Sequence, residues 1–145
     1  MDEPLREPRK YEKLTWYPHL SPVEAAIWDR FIDSHPTEYG FVEYDVKIGP
    51  IPDFVADHED AAMQKQAPLY QYKIDVIGHN TGVLDIIELK QRADFKTIGQ
   101  VEGYCDLYIK EFSPTTKPRC VIIAEIVAPA LVAHAASKGI QLYLV

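Results

Sequence analysis

Cysteine and long apolar runs are scarce in this chain. The 145 residues include two cysteines, and Cys105 and Cys120 lack the CxxC spacing of a metal or redox site. No apolar run approaches the roughly 18 residues of a membrane span, and the N-terminus MDEPLREPRK lacks the apolar stretch of a signal peptide. We therefore expect an intracellular, cytoplasmic protein with reduced thiols and no membrane partner.

Basic residues are also few. The chain has 15 Lys and Arg against 22 Asp and Glu, and its formal net charge is −7. The acidic excess lies within residues 1–69, because basic and acidic residues are equal in number after that point. The composition therefore does not predict nonspecific nucleic-acid binding through a basic surface. An enzyme acting on nucleic acid would need a local basic groove or a metal ion to offset this charge.

The chain is long enough for one domain and too short for two. Residues 1–20 are polar and contain three prolines, which predicts an N-terminal arm that packs through Tyr11, Trp16 and Tyr17. Residues 21–145 are predicted to form a single domain. The stretch 50–69 is too long for a hairpin connection and predicts an insertion with a short helix starting near Asp57.

Within residues 21–145 the periodicity predicts the order helix, strand, strand, strand, helix, strand, helix, strand. Ser21, Pro22 and Glu24 are a helix-start signal, and FVEYDVKIG alternates as a strand with one wet face would. Three successive strands favour an antiparallel meander, and the later strand–helix–strand units require parallel crossovers. We therefore predict an α/β fold with a mixed β-sheet flanked by helices.

Three charged residues interrupt two otherwise apolar strands, YQYKIDVIG and VLDIIELK. They are Asp75, Glu88 and Lys90. Glu88 and Lys90 share a face because strand side chains alternate. Charges inside a buried strand are costly unless a ligand compensates them, and carboxylates suit Mg²⁺ or Mn²⁺ while lysine suits an anionic substrate.

The pairing of these two strands decides whether the third charge joins the other two. A turn at residues 79–82 predicts that Gly78 lies opposite Val83, and this register places Asp75 on the face of Glu88 and Lys90. A shift of one residue would place Asp75 on the other face. Asp85 is expected on the opposite face from Glu88, against a helix or solvent.

The order of these residues resembles that of the PD-(D/E)xK nuclease superfamily over about residues 21–126. The resemblance consists of Asp75 on one strand, Glu88-Leu89-Lys90 on the next, and Gln100 and Tyr104 on the following helix. That last pair matches the QxxxY motif of the RecB-like branch. The resemblance implies a restriction-endonuclease-like core.

The Pro-Asp of the family is Ile74-Asp75 here, whereas a literal Pro52-Asp53 occurs in the insertion. We prefer Asp75 as the catalytic aspartate, because a strand would hold its carboxylate beside Glu88. Asp53 stays open as an alternative.

The resemblance implies a metal-dependent nuclease that hydrolyses phosphodiester bonds, most plausibly in DNA repair or recombination. It implies Mg²⁺ or Mn²⁺ held by Asp75, Glu88 and the backbone carbonyl of Leu89, with Lys90, Gln100 and Tyr104 as catalytic residues. Glu24 is a further candidate metal ligand, although a capping box with Ser21 explains it equally well. DNA is the implied partner, and a homodimer or a larger nucleic-acid-processing assembly stays open. The alternative is an inactive nuclease-fold domain that serves nucleic-acid binding or protein assembly.

Overall fold

The computed structural model describes residues 6–57 and 59–145. Residues 1–5 of the predicted arm and His58 of the predicted insertion lie outside the described residues. The elements are β1 (Arg9–Lys10), α1 (Pro22–Ser34), β2 (Phe41–Ile48), α2 (Asp53–Ala56), α3 (Ala61–Gln64), a 3₁₀ helix (Ala67–Tyr70), β3 (Tyr72–Asn80), β4 (Val83–Ala93), α4 (Phe95–Phe112), β5 (Arg119–Val127), α5 (Pro129–Ser137) and β6 (Gln141–Leu144).

The six strands form one sheet whose spatial order is the order of the chain, β1 to β6. Strands β1 to β4 pair antiparallel, and β4, β5 and β6 pair parallel. Helices α4 and α5 make the two parallel crossovers that this arrangement requires. The predicted mixed sheet, with an antiparallel meander followed by parallel strands, is confirmed.

The helices cover both faces of the sheet. Helix α1 packs through Ile27, Trp28 and Phe31 on one face. Helices α4 and α5 pack on the other face, where Cys105 and Leu131 are among the buried side chains. None of the helices in the described part of the chain is long and apolar enough to cross a membrane.

The predicted register of β3 and β4 is wrong by two residues. Gly78 lies opposite Asp85, and Asn80 lies opposite Val83, so that Thr81 and Gly82 alone form the turn. Gly82 has φ = 68°, which allows this tight two-residue connection. Because side chains alternate with a period of two, the shift leaves the paired residues from Val76 to Ile87 on their predicted faces.

The side-chain alternation of β2 and β3 breaks at one point. Tyr44 and Val76 pack on the α1 face, whereas their neighbours two residues away, Val46 and Ile74, pack on the α4 face. The prediction that β2 keeps a single wet face is therefore wrong. Asp45 has φ = 53° and lies at this break. Asp75 lies at the same break on β3, between the paired residues Ile74 and Val76.

Two local predictions differ from the structure outside the sheet. The insertion contains two short helices, and α3 begins at Ala61 with Asp60 as its cap, instead of a helix starting near Asp57. In the arm, Tyr11 and Tyr17 are buried as expected, but Trp16 is 69% exposed.

Candidate active site

Asp75 of β3 and Glu88 of β4 lie next to each other near the break in the sheet. The regular pairing of the two strands runs from Asn80 and Val83 to Val76 and Ile87. The charge of Asp75 is the largest cause, after burial, of the raised pKa of Glu88, so the two carboxylates lie close together. The backbone N–H of Leu89 donates to Asp75 Oδ2 at 3.0 Å, which fixes the aspartate carboxylate across the two strands.

Burial and mutual repulsion disfavour the charged forms of these two carboxylates. Burial is the largest cause that raises the pKa of Asp75, and the charges of Glu24 and Asp45 add to it. Burial also raises the pKa of Glu88, followed by the charge of Asp75. Lys90 lowers both pKa values, but it does not cancel the effect of burial. A cation between the two carboxylates would therefore be stabilised.

Lys90 shares the α4 face with Glu88, because their parallel partners on β5 are Ala124 and Ile122. Its Nζ lies 3.8 Å from Glu88 Oε1, and its side chain is 38% exposed. The lysine is thus an ion-pair partner of Glu88 that still reaches solvent. It can contact an anion at the mouth of the site.

Gln100 and Tyr104 approach the same face from α4. Gln100 Nε2 donates to the hydroxyl oxygen of Tyr104 at 2.9 Å. Burial raises the pKa of Tyr104, and Glu88 and Asp75 are among the charges that raise it further. The strand carboxylates therefore act electrostatically on Tyr104, and Gln100 is hydrogen-bonded to that tyrosine.

Glu24 serves as a helix cap and also acts on the candidate site. Its carboxylate accepts the Ser21 N–H at 2.9 Å, and its own N–H donates to Ser21 Oγ at 3.2 Å. Its charge nevertheless raises the pKa of both Asp75 and Glu88. The capping box thus leaves Glu24 close enough to contribute electrostatically.

Asp45 belongs to the site but was missed in the sequence, where it looked like a polar residue on a wet strand face. Its charge raises the pKa of Asp75, and both residues line one cleft with Lys73 and His19. An aspartate inside a strand is unfavourable by β propensity, and that signal could have identified it.

One oxygen of the Glu88 carboxylate, a candidate metal ligand, lacks a hydrogen-bond donor among the described residues. Glu88 is 4% exposed, and its Oε2 has no hydrogen-bond partner among the described residues. Across residues 6–57 and 59–145, no group of three His, Cys, Asp or Glu side chains is arranged to hold a metal ion. The arrangement fits a cation that takes two carboxylates directly and keeps several waters, as Mg²⁺ does.

Other candidates have different environments. Asp85 lies on the face opposite Glu88 as predicted, but it contacts neither solvent nor a helix: it is fully buried and binds Arg119 and the Tyr39 hydroxyl. Asp53 is exposed at the start of α2. His79 Nε2 lies 2.6 Å from Glu43 Oε1, in an ion cluster outside the candidate site.

Comparison with known proteins gives structural but not sequence relatives. No protein-family model matches the chain, and no curated protein gives a significant sequence match. A repair endonuclease from Pyrococcus abyssi superposes with a TM-score of 0.52 and 18% identity over 90% of this chain and 49% of its own. A complex of EndoMS with dsDNA gives a TM-score of 0.50 and 14% identity over 91% of this chain and 48% of its own.

These similarities establish the fold. The six-stranded mixed sheet with its helices is similar to part of the Pyrococcus abyssi repair endonuclease and to part of EndoMS. The chain spans about half the length of either neighbour.

Proposed function

We propose that this protein is a metal-dependent nuclease that hydrolyses phosphodiester bonds in DNA. One observation carries the proposal: Asp75 and Glu88 lie side by side, with Lys90 3.8 Å from Glu88. Such a group of charges is costly in a buried strand unless a ligand uses it.

Asp75 and Glu88 would hold Mg²⁺ or Mn²⁺, together with the backbone carbonyl of Leu89. Bound there, the cation would lower the pKa of water and neutralise charge on the phosphate. The N–H of Leu89 keeps the Asp75 carboxylate in place for this role. Glu24 would add negative charge from the start of α1.

The remaining residues would act on the phosphate and the attacking water. Lys90 would orient the water and stabilise the negative charge that develops on the phosphate. The Tyr104 oxygen already accepts from Gln100, so its own O–H can donate to a phosphate oxygen. Gln100 and Tyr104 resemble the QxxxY motif of the RecB-like nucleases, and Lys90 resembles the lysine of the ExK motif.

The structural neighbours support this choice of substrate. One is a repair endonuclease, and EndoMS is bound to dsDNA in its structure. We therefore propose DNA as the partner and DNA repair or recombination as the setting. An acidic net charge of −7 makes a cation important, because the phosphate backbone must approach an acidic protein.

The direct test is digestion of linear, circular and single-stranded DNA with Mg²⁺ or with EDTA. Wild type is compared with Glu88→Gln and Lys90→Ala, and Lys117→Ala is the control because it removes an exposed lysine before β5. We expect wild type and Lys117→Ala to cleave with Mg²⁺, and the two site variants to be inactive. Circular substrates reveal whether cleavage needs a DNA end.

Two outcomes would contradict the proposal. Equal activity in all four proteins would attribute cleavage to a contaminant. No activity on any substrate, with DNA binding retained, would favour an inactive nuclease-fold domain that binds nucleic acid.

A further inference from the structure

Asp45 has an unusual backbone conformation for a residue inside a strand. Its φ of 53° lies in the left-handed region, which a non-glycine residue keeps only when its surroundings enforce it. The alternation of β2 and β3 reverses at this point, with Tyr44 and Val46 on opposite faces. The ladder between β2 and β3 skips Asp45, and Asp75 is the residue of β3 at the same interruption, between the pairs Tyr44–Val76 and Val46–Ile74.

The Asp45 side chain is buried, and only one of its two carboxylate oxygens has a partner among the described residues. It is 9% exposed, and its Oδ2 lies 3.1 Å from both Lys47 Nζ and His19 Nε2. Its other oxygen, Oδ1, is buried and finds no hydrogen-bond partner within the described ranges. Buried acceptors are nearly always paired, so Oδ1 needs a donor that is not a protein group.

The surroundings of Asp45 indicate what that donor is. Asp45 lines the same cleft as Asp75, and its charge acts on the Asp75 carboxylate. Glu88 Oε2 is a second buried carboxylate oxygen for which the described residues supply no donor. Asp75 interacts electrostatically with both Asp45 and Glu88, and a hydrated cation beside Asp75 would supply donors to both oxygens.

We propose that Asp45 is a further acidic residue of the Mg²⁺ site and acts on the hydrated cation through Oδ1. This inference rests on the proposed function. Mg²⁺ takes one or two carboxylates directly and keeps several waters, which matches direct contacts from Asp75 and Glu88 and an indirect contact from Asp45. Residues that act on a metal ion through its bound waters or ligands strongly affect how tightly the protein binds that metal.

A purely structural role for Asp45 makes a different prediction. Lys47 and His19 both contact Oδ2, so an ion-pair role would use that oxygen alone. Removing the charge would then change the free energy of unfolding without changing cation affinity. The two roles are separable because one variant can remove the carboxylate and another can remove its lysine partner.

The experiment is calorimetric titration of Mg²⁺ into wild type, Asp45→Asn, Glu88→Gln and two controls. Asparagine tolerates the left-handed region and matches aspartate in size, so Asp45→Asn retains the backbone. Lys47→Met removes the ion pair and retains the carboxylate. Asp33→Asn makes the same chemical change at a side chain that is 59% exposed near the end of α1.

We expect Asp45→Asn to bind Mg²⁺ about 10- to 100-fold more weakly than wild type. Asp33→Asn should retain wild-type affinity, and Lys47→Met should bind Mg²⁺ as tightly as wild type or more tightly, because it removes a positive charge from Asp45. Urea denaturation in EDTA checks that each variant folds. If Asp45→Asn does not fold, Asp45→Gly replaces it, because glycine adopts this φ without strain.

The outcomes separate this inference from the proposed function. Wild-type Mg²⁺ affinity in Asp45→Asn, with binding lost in Glu88→Gln, would overturn the role of Asp45 and leave the nuclease site intact. Weakened Mg²⁺ binding in Asp45→Asn without DNA cleavage by wild type would retain the role of Asp45 and overturn the nuclease function. A wild type that binds no Mg²⁺ would overturn both.

Discussion

Arg119 of β5 holds Asp85 of β4 through two hydrogen bonds, from Nε to Oδ1 at 2.7 Å and from Nη2 to Oδ2 at 2.8 Å. The Tyr39 hydroxyl donates to the same carboxylate at 2.6 Å. Glu88, three residues further along β4, is also buried but has an Oε2 that no described residue satisfies. Both oxygens of Asp85 are therefore paired within the protein, whereas Glu88 has Lys90 near Oε1 and no described donor at Oε2.

Replacing Arg119 should destabilise the protein. In Arg119→Ala the fully buried Asp85 would keep the Tyr39 hydroxyl but lose its charged partner, at a cost of about 2 kcal/mol or more. Arg92→Ala, at an exposed arginine of the same sheet, should stay within about 0.5 kcal/mol of wild type. Urea denaturation measures both. Equal effects of the two substitutions would contradict a structural role for the pair.

The free energy of unfolding in EDTA should depend on pH through Asp75 and Glu88. Their pKa values are raised above 3.8 and 4.5 in the folded protein, so the folded state holds protons that the unfolded state releases. This proton binding contributes fully to the free energy of unfolding below the unfolded-state pKa values of 3.8 and 4.5, and the contribution is lost as pH rises through the raised pKa values of the folded state. Wild type should therefore lose stability relative to Glu88→Gln between pH 5 and pH 9, by about 1–3 kcal/mol.

Urea denaturation at a series of pH values, with and without Mg²⁺, measures this difference. Saturating Mg²⁺ should reverse it, because the cation stabilises wild type by binding the folded state. Parallel pH profiles for the two proteins would show that Glu88 does not carry the shift.

Lys90→Ala should separate cleavage from cation binding. The lysine is expected to stabilise charge on the phosphate, so its removal should reduce the cleavage rate by roughly 10²–10³-fold. Mg²⁺ affinity should be unchanged or higher, because a positive charge 3.8 Å from Glu88 Oε1 is removed. Single-turnover cleavage and calorimetric titration give the two quantities. A loss of Mg²⁺ affinity equal to the loss of rate would place Lys90 in the cation site instead.

Gly78→Ala should be destabilising for a steric reason. A Cβ at this position would lie 2.4 Å from Cε1 of the Tyr39 ring, which is buried against Asp85. We expect a cost of about 1–3 kcal/mol. Gly99→Ala in α4 is the matched control, since no described atom lies within 4 Å of its Cβ, and it should be neutral or stabilising by up to about 1 kcal/mol. Equal denaturation midpoints would contradict this account of Gly78.

The fold was predictable because its strongest signals are local. Pro22 and Glu24 at the start of α1, Asp94 at the start of α4 and Pro129 at the start of α5 specify helix starts through backbone geometry and capping. Period-two and period-3.6 patterns separate the strands from the helices, and the crossover rule then gives the sheet.

The site was only partly predictable. The face shared by Glu88 and Lys90 follows from the alternation of a regular strand, but the same rule does not extend to Asp75, because the alternation of β3 breaks between Ile74 and Val76. The environment of Asp85 did not follow, because its partner Arg119 comes from β5, 34 residues away. Asp45 was missed for a related reason: regular alternation assumes an unbroken strand, whereas its positive φ reverses the faces.

The central claim is that Asp75 and Glu88 bind one divalent cation. Anomalous diffraction from crystals soaked in Mn²⁺ tests it most directly, with crystals of Glu88→Gln as the control. We predict an anomalous peak between the two carboxylates in wild type and none in the variant. An anomalous peak at another position only, or no peak between Asp75 and Glu88 at saturating Mn²⁺, would contradict the account.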